Sequence, residues 1–459
     1  MNIIHKQLEN KKIIILGFGK EGRSSYKFIR SYQPNLPLVV ADQNENLFIE
    51  KFSDDPHLTF VLGEKYDENL NDYDLILKTP GVSLTKIDYF IPPGKIVSQT
   101  SYFLQFYSNQ VIGITGTKGK STTASLIYHI LKEAGRDVIL AGNIGVPFFN
   151  ILDEIKPETV IVAELSAHQL EYVDASPHTA ILLNMYQEHL DHFNTYNDYQ
   201  LAKLNITNRQ NKKDILIYNM DDLVIGKLIQ AHNFDRVFWP FRKDIMLETG
   251  AYSHGSHVFL MKSREKIDDF ELSTLNNLPG THNYFNVMAA IIASYLQDID
   301  LQYIANSLQT FQGLDHRIEY VGMFHGIRFY NDSISTIPET TIAAINTLRK
   351  VDTLILGGFD RGINYQELID YLSVSDVNNI AFTGPAGQRI FEEWQKSDKE
   401  LPKNHIIEDN YHKIIEFAFD NTQINKICLL SPAAASYDQF KNFEERGVVY
   451  KNIIQERNK

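Results

Sequence analysis

Two glycine-rich stretches bring phosphate chemistry to this chain. The first, GFGKEG, sets Gly17, Gly19 and Gly22 in G-x-G-x-x-G register, and Asp42 ends the next apolar run 20 residues after Gly22. That spacing lets backbone approach a pyrophosphate, turns a helix N-terminus toward it, and supplies an acid for a ribose hydroxyl. Alone, it points to an NAD enzyme; a tight turn with no ligand is the plainer alternative.

The second, VIGITGTKGKSTT (111–123), misses the usual G-x-x-x-x-G-K-S/T loop, because its glycines fall at Gly113 and Gly116 while Ile114 holds the required position. Its context still fits a nucleotide. The apolar run precedes Gly116, Thr117, Lys118, Gly119, Lys120, Ser121 and Thr122, and Ala124, Ile127, Ile130, Leu131 and Ala134 then recur at helical spacing, with Gly135 as a stop. Backbone N–H groups and Lys120 suit phosphate oxygens, and the Ser121 or Thr122 hydroxyl suits Mg2+. A plain glycine turn with a solvated lysine explains the glycines but not Lys-Ser-Thr at the helix start.

Glu164 closes the run TVIVAE (159–164), at the strand end where ligands gather in open sheets. It suits a cation opposite the loop hydroxyl, and equally a structural pair with a neighbour. The segment EHLDH (188–192) lacks the H-E-x-x-H zinc spacing, and His178 reads as structural or solvated. Arginines in DHR (315–317), GGFDRG (357–362) and KNFEERG (441–447) suit the charge of a transferred phosphoryl group, although KNFEERG also fits a solvated helix face.

These groups need a scaffold. Apolar runs KIIIL (12–16), LVVAD (38–42), VIGIT (111–115), TVIVAE (159–164), AILLN (180–184), DILIYN (214–219), TLILGG (353–358) and KICLLS (426–431) alternate with helix-length stretches. That pattern predicts an α/β fold with largely parallel sheets. With 459 residues the chain has room for several domains, and its net charge of −13 argues against nucleic acid as the main partner. Cys428 is the single cysteine, and no run approaches the roughly 18 apolar residues of a membrane helix. A cytoplasmic, soluble protein without membrane insertion is expected. Two phosphate loops in one chain suggest a transfer between ATP and a second, nucleotide-linked substrate.

The order of motifs resembles the Mur ligases, ATP-dependent amide ligases of peptidoglycan precursor synthesis, whose loop reads G-(I/V/T)-T-G-(T/S)-x-G-K-(S/T). The resemblance runs through GNIG (142–145), AELSAHQLE (163–171), EHLDH, LAKLNI (201–206), GTHNYFN (280–286), GLDHRIE (313–319) and LSPAAASYDQFKNFEERG (430–447), the last being similar to the glutamate-adding branch. It implies three domains: residues 1–101, Rossmann-like, for a UDP-linked substrate; 102–313, a central P-loop ATPase-type domain; and 314–459, Rossmann-like, for the amino acid. The NAD reading of GFGKEG is thereby demoted, and closure of the domains over substrates is expected.

By the same resemblance, UDP-N-acetylmuramoyl-L-alanine would meet Gly17, Gly19, Gly22, Asp42, Thr79, Gly81 and Asn143. ATP would meet the loop together with Asn283, Arg317 and Asp332. Glutamate would meet Thr336, Arg361, Ser436 and Phe443. Two Mg2+ sites are implied, one at Ser121 or Thr122 with Glu164, the other at His189 and a carbamylated Lys203; Lys120, Glu164, His189 and Lys203 form the catalytic set. Without that modification LAKLNI reads as an ordinary helix with one exposed lysine. A monomer acting on small molecules is expected. Two positions depart from the family: Lys118, where asparagine is usual, and Ile334 in NDSISTIPE (331–339), where the D-glutamate enzymes carry lysine. The second departure keeps an L-glutamate-adding branch open.

Overall fold

The computed structural model describes residues 3–457 apart from 48, 86, 88, 93, 233, 274–277, 279, 281 and 282. Thr281 and His282 of the GTHNYFN motif therefore lie outside the described residues. The chain forms two compact units, residues 1–273 with 284–309, and residues 274–283 with 310–459. Three sheets follow one another along it.

The first sheet is wholly parallel, ordered Leu58–Leu62, Leu38–Asp42, Ile13–Leu16, Leu75–Lys78, Ile96–Val97. The chain leaves the central strand Ile13–Leu16 toward one side and later returns on the other, which opens a crevice at the strand C-termini where ligands bind in such sheets. Ile13 to Leu16 are all buried, as a strand covered on both faces requires. The helix Lys20–Tyr32 follows, with Phe28 and Ile29 packed into the core.

The second sheet belongs to the same compact unit. Its nine strands run Glu265–Glu271, His257–Lys262, Gly250–His254, Val237–Lys243, Ile215–Asn219, Thr179–Leu182, Val111–Thr115, Val160–Glu164, Val138–Gly142. Seven are parallel; the hairpin His257–Lys262 and Glu265–Glu271 is antiparallel. One apolar cluster takes in Ile13 and Leu77 of the first sheet and Val111, Ile161 and Leu182 of the second.

The second unit carries six strands, ordered Glu319–Phe324, Ile327–Asn331, Ile427–Leu430, Val351–Gly357, Asn379–Thr383, Asn404–Ile407, with only the first pair antiparallel. Helices cover the sheet, and Trp394, Tyr365 and Phe382 fill one of its faces. Among the described residues no helix is long and apolar enough to cross a membrane.

Candidate active site

The strand Val111–Thr115 is buried throughout and lies between Val160–Glu164 and Thr179–Leu182. It delivers the glycine turn to the C-terminal edge of the central sheet. Gly119 has φ +85°, and a Cβ there would lie 2.3 Å from Asn286 Oδ1, so backbone and space both demand glycine. The helix Lys120–Glu133 begins at once, and the N-terminus of such a helix suits an anion. Thr117 braces the turn: its hydroxyl lies 3.0 Å from Tyr199 OH and accepts the Tyr186 N–H at 2.9 Å.

Two lysines meet at this turn. Lys120 Nζ donates to the Gly116 carbonyl at 2.8 Å and to that of Thr117 at 3.0 Å. Lys203, on the helix Tyr196–Asn208, donates to the same Gly116 carbonyl at 2.8 Å and is 1% exposed. The expectation of a solvated lysine in LAKLNI thus fails, because the helix buries that face against the phosphate loop. Burial, and then the charge of Lys120, hold the Lys203 amine well below the usual lysine range.

Glu164 is also buried. Its Oε1 accepts from Asn143 Nδ2 at 2.6 Å, while Oε2 has no partner among the described residues. A buried carboxylate oxygen without a donor fits a cation, since leaving it bare is costly. Ser121 and Thr122 occupy the first turn of the adjoining helix. His189 adopts φ +59° and packs edge-on to His168 at 4.7 Å; burial lowers its imidazole below the usual range. Lys118 pairs with Glu188 at 2.5 Å, so its extra charge is partly answered beside the loop. Among the described residues no three His, Cys, Asp or Glu side chains gather into a ready metal cage.

The first sheet shapes a separate cleft of about 400 Å3, lined by Gly17, Gly19, Asp42, Thr79, Gly81 and Asn143 among others. Gly17 has φ +93°, and a Cβ there would strike Thr79 Oγ1; at Gly19 a Cβ would meet nothing within 4 Å, so the backbone is open to a ligand. Gly22 lets the helix approach closely, since its Cβ would fall 2.1 Å from the Gly17 carbonyl oxygen. Asp42 accepts the Phe18 N–H at 2.6 Å and the Asn44 N–H at 2.8 Å, and so also holds the glycine turn.

In the second unit Asp332 is buried, accepting from Ser431 Oγ at 2.7 Å and the Ile318 N–H at 3.1 Å. Burial pushes its carboxyl up to about 6. Arg317 is exposed beside this turn, and Asn283 opens the helix Asn283–Tyr295. Arg361 donates to the Thr336 carbonyl at 2.7 Å. Ser436 is buried, and Phe443 starts the helix Phe443–Arg457 with its ring edge-on to His316 at 6.1 Å.

The sequence did not disclose Arg446. Its KNFEERG setting suggested a solvated face, yet Arg446 is 1% exposed. It donates to the carbonyls of Ser333, Ala434 and Ala435 and to the Ser333 hydroxyl at 2.8 to 3.2 Å.

Comparison with known proteins places this architecture. The profile of the Mur ligase middle domain matches residues 114–294. A UDP-N-acetylmuramoylalanine--D-glutamate ligase of Thermoanaerobacter sp. (strain X514) is 32% identical over 98% of this chain and 99% of its own. Among solved structures, the UDP-N-acetylmuramate-alanine ligase MurC of Thermotoga maritima superposes with a TM-score of 0.56 at 18% identity, covering 98% of this chain and 100% of that one. The MurF ligase of Thermotoga maritima in complex with ADP gives 0.55 at 17% identity, with 100% of both chains covered. Those two structures speak for the three-sheet fold.

Fold, phosphate loop and relatives together define an ATP-dependent amide-bond-forming ligase. The chain belongs to the Mur ligase family, which acts in peptidoglycan precursor synthesis.

Proposed function

We propose that the chain joins D-glutamate to UDP-N-acetylmuramoyl-L-alanine at the expense of ATP. The supporting observation is the meeting of Lys120 and Lys203 on the Gly116 carbonyl, with the open oxygen of Glu164 on the neighbouring strand. Lys120 and the N–H groups of a helix N-terminus suit a triphosphate, the open oxygen of Glu164 suits the accompanying Mg2+, and the relatives' name supplies the acceptor and the amino acid.

In this reading the alanine carboxylate attacks the γ-phosphorus, the bond to the β,γ-bridging oxygen breaks, and ADP leaves. The amine of glutamate then attacks the acyl phosphate carbonyl, the C–N bond forms, a proton is lost and phosphate departs. Lys120 offsets charge on the transferred phosphoryl group, and Asn143 orients the acyl donor. Arg317, Asn283 and Asp332 serve the nucleotide; Arg361, Thr336, Ser436 and Phe443 serve glutamate, where a guanidinium grips carboxylate with paired bonds. Ser121 or Thr122 with Glu164 would hold one Mg2+, and His189 with a carbamylated Lys203 a second, together neutralising phosphate charge. We assign the substrate, ATP and amino-acid roles to residues 1–101, 102–313 and 314–459.

Phosphate release with UDP-N-acetylmuramoyl-L-alanine and each glutamate enantiomer tests the reading. Turnover with D-glutamate alone supports it. Ile334, apolar where the D-glutamate enzymes carry lysine, favours L-glutamate as the second reading, and turnover with the L form alone would install it.

A further inference from the structure

Glu21 is an unexpected neighbour for a diphosphate. It occupies the first turn of the helix Lys20–Tyr32, directly after the glycine turn, and lines the first-sheet cleft. Its backbone is pinned, because its carbonyl accepts from Gln99 Nε2 at 2.8 Å and from Ser25 Oγ at 3.0 Å. Its Oε1 accepts from Gln169 Nε2 at 2.7 Å; its Oε2 is shielded from water with no partner among the described residues.

The charged groups around it offset its charge only in part and donate no hydrogen bond to it among the described residues. Lys20, on its own helix, donates to the Gly145 carbonyl at 2.7 Å. Lys78, at the end of the strand Leu75–Lys78, pairs with Glu171 at 3.3 Å. Asp42, lining the same cleft from the neighbouring strand, spends its oxygens on Phe18 and Asn44. Gln169, from the helix Ala167–Leu170, is neutral and answers one oxygen only. A dianionic diphosphate on this helix N-terminus would therefore stand beside a carboxylate that Lys20 and Lys78 offset only in part.

We propose that Glu21 enters the complex with the UDP-linked substrate as a neutral carboxylic acid, taking up one proton and donating it in a hydrogen bond to the diphosphate. Burial already pushes its carboxyl up to about 7, with Gln169, Lys78 and Lys20 opposing that rise. An approaching anion raises it further. Proton uptake turns a repelling acceptor into a donor, and the step balances: the buffer acid loses one proton to become its conjugate base, and one O–H forms on Glu21. This rests on the cleft being the UDP-substrate site.

Calorimetric titration of the full-length protein with UDP-N-acetylmuramoyl-L-alanine between pH 6 and 8.5, in buffers of different ionisation enthalpy, tests it. The diphosphate diester does not titrate in that range and the uracil ring only begins to at its alkaline end, so uptake approaching a whole proton belongs to the protein. The expected result is uptake approaching one proton at the alkaline end and a dissociation constant that rises toward about tenfold per pH unit. Glu21→Gln, which keeps the shape and offers a donor without titrating, should bind tightly with no pH dependence. Binding by the native protein that ignores pH, an identical slope in native protein and variant, or loss of binding by a folded variant at every pH would each overturn the proposal. Absence of binding at any pH in the native protein would instead remove the substrate cleft itself, and the proton with it. If the variant does not fold, the uptake measured on the native protein decides alone.

Discussion

Lys203 Nζ lies 2.8 Å from the Gly116 carbonyl oxygen, which Lys120 also takes at 2.8 Å. Burial, and then the charge of Lys120, press the Lys203 amine toward the neutral form. A neutral amine is the species that adds carbon dioxide, and the carbamate so formed would bring a negative charge beside His189. Protein equilibrated with 13C-bicarbonate should show a carbamate carbon resonance that Lys203→Ala lacks. The same substitution should lower kcat by about 100-fold, the upper end for loss of a group that supports a metal ion. A native spectrum without the resonance, from active enzyme, would sink the carbamate.

Gly119→Ala probes the phosphate turn without touching a charge. The left-handed backbone and the 2.3 Å approach to Asn286 Oδ1 leave a methyl group nowhere to go. Alanine at such a φ costs about 1 kcal/mol or more, before any displacement of Asn286. The unfolding midpoint should fall by several degrees, and ATP binding by calorimetry should weaken more than binding of the UDP-linked substrate. Equal weakening of both ligands would mean the variant had loosened the whole unit.

Much of this was legible because buried strands advertise themselves. LVVAD and VIGIT became the strands Leu38–Asp42 and Val111–Thr115 residue for residue, and GKST opened a helix as its composition required. The antiparallel hairpin His257–Lys262 with Glu265–Glu271 went unread, since its acids and lysines mask the alternation of a half-exposed strand. Lys203 entered the site by resemblance alone, and its burial, like that of Arg446, was illegible for a different reason. Charge in a helical stretch normally marks a wet face, and only the tertiary fold shows that the acceptors of these two side chains are carbonyls 87 and up to 113 residues away. The gathering of Glu21 with Gln169, on helices 148 residues apart in sequence, and of Glu164 with Asn143, at the ends of paired strands, likewise depends on tertiary contacts.

Asp332 should make stability depend on pH in a readable way. Its carboxyl rises from 3.8 to about 6 on folding, because burial outweighs the hydrogen bonds from Ser431 and Ile318. A raised folded-state value means the contribution is fully present below about 3.8 and is lost as pH rises through about 6. At neutral pH the ionised group then costs on the order of 3 kcal/mol. Asp332→Asn should match or exceed the native unfolding temperature at pH 7.5, with the advantage shrinking toward pH 5, while the KM for ATP rises. A variant less stable by the same margin from pH 5 to 8 would show that the carboxylate's hydrogen bonds outweigh its burial.

Arg446 offers the sharpest separation of structure from binding. Its guanidinium ties the Ser333 segment, which leads to Thr336, to the Ala434–Ala435 segment, which leads to Ser436. Arg446→Met would strand the buried carbonyls of Ser333 and Ala434, each costing about 1 to 3 kcal/mol when unsatisfied, while that of Ala435 keeps the Phe359 N–H at 2.8 Å, so the second unit should lose several kcal/mol. Arg446→Lys keeps the charge but not the fork, because one ammonium cannot span acceptors on both segments. The lysine variant should therefore fold, with the KM for glutamate raised about tenfold and the KM for ATP changed much less. Steady-state kinetics with each substrate varied in turn decides the matter: a parallel fall in kcat with both KM values unmoved would place Arg446 outside the positioning of glutamate.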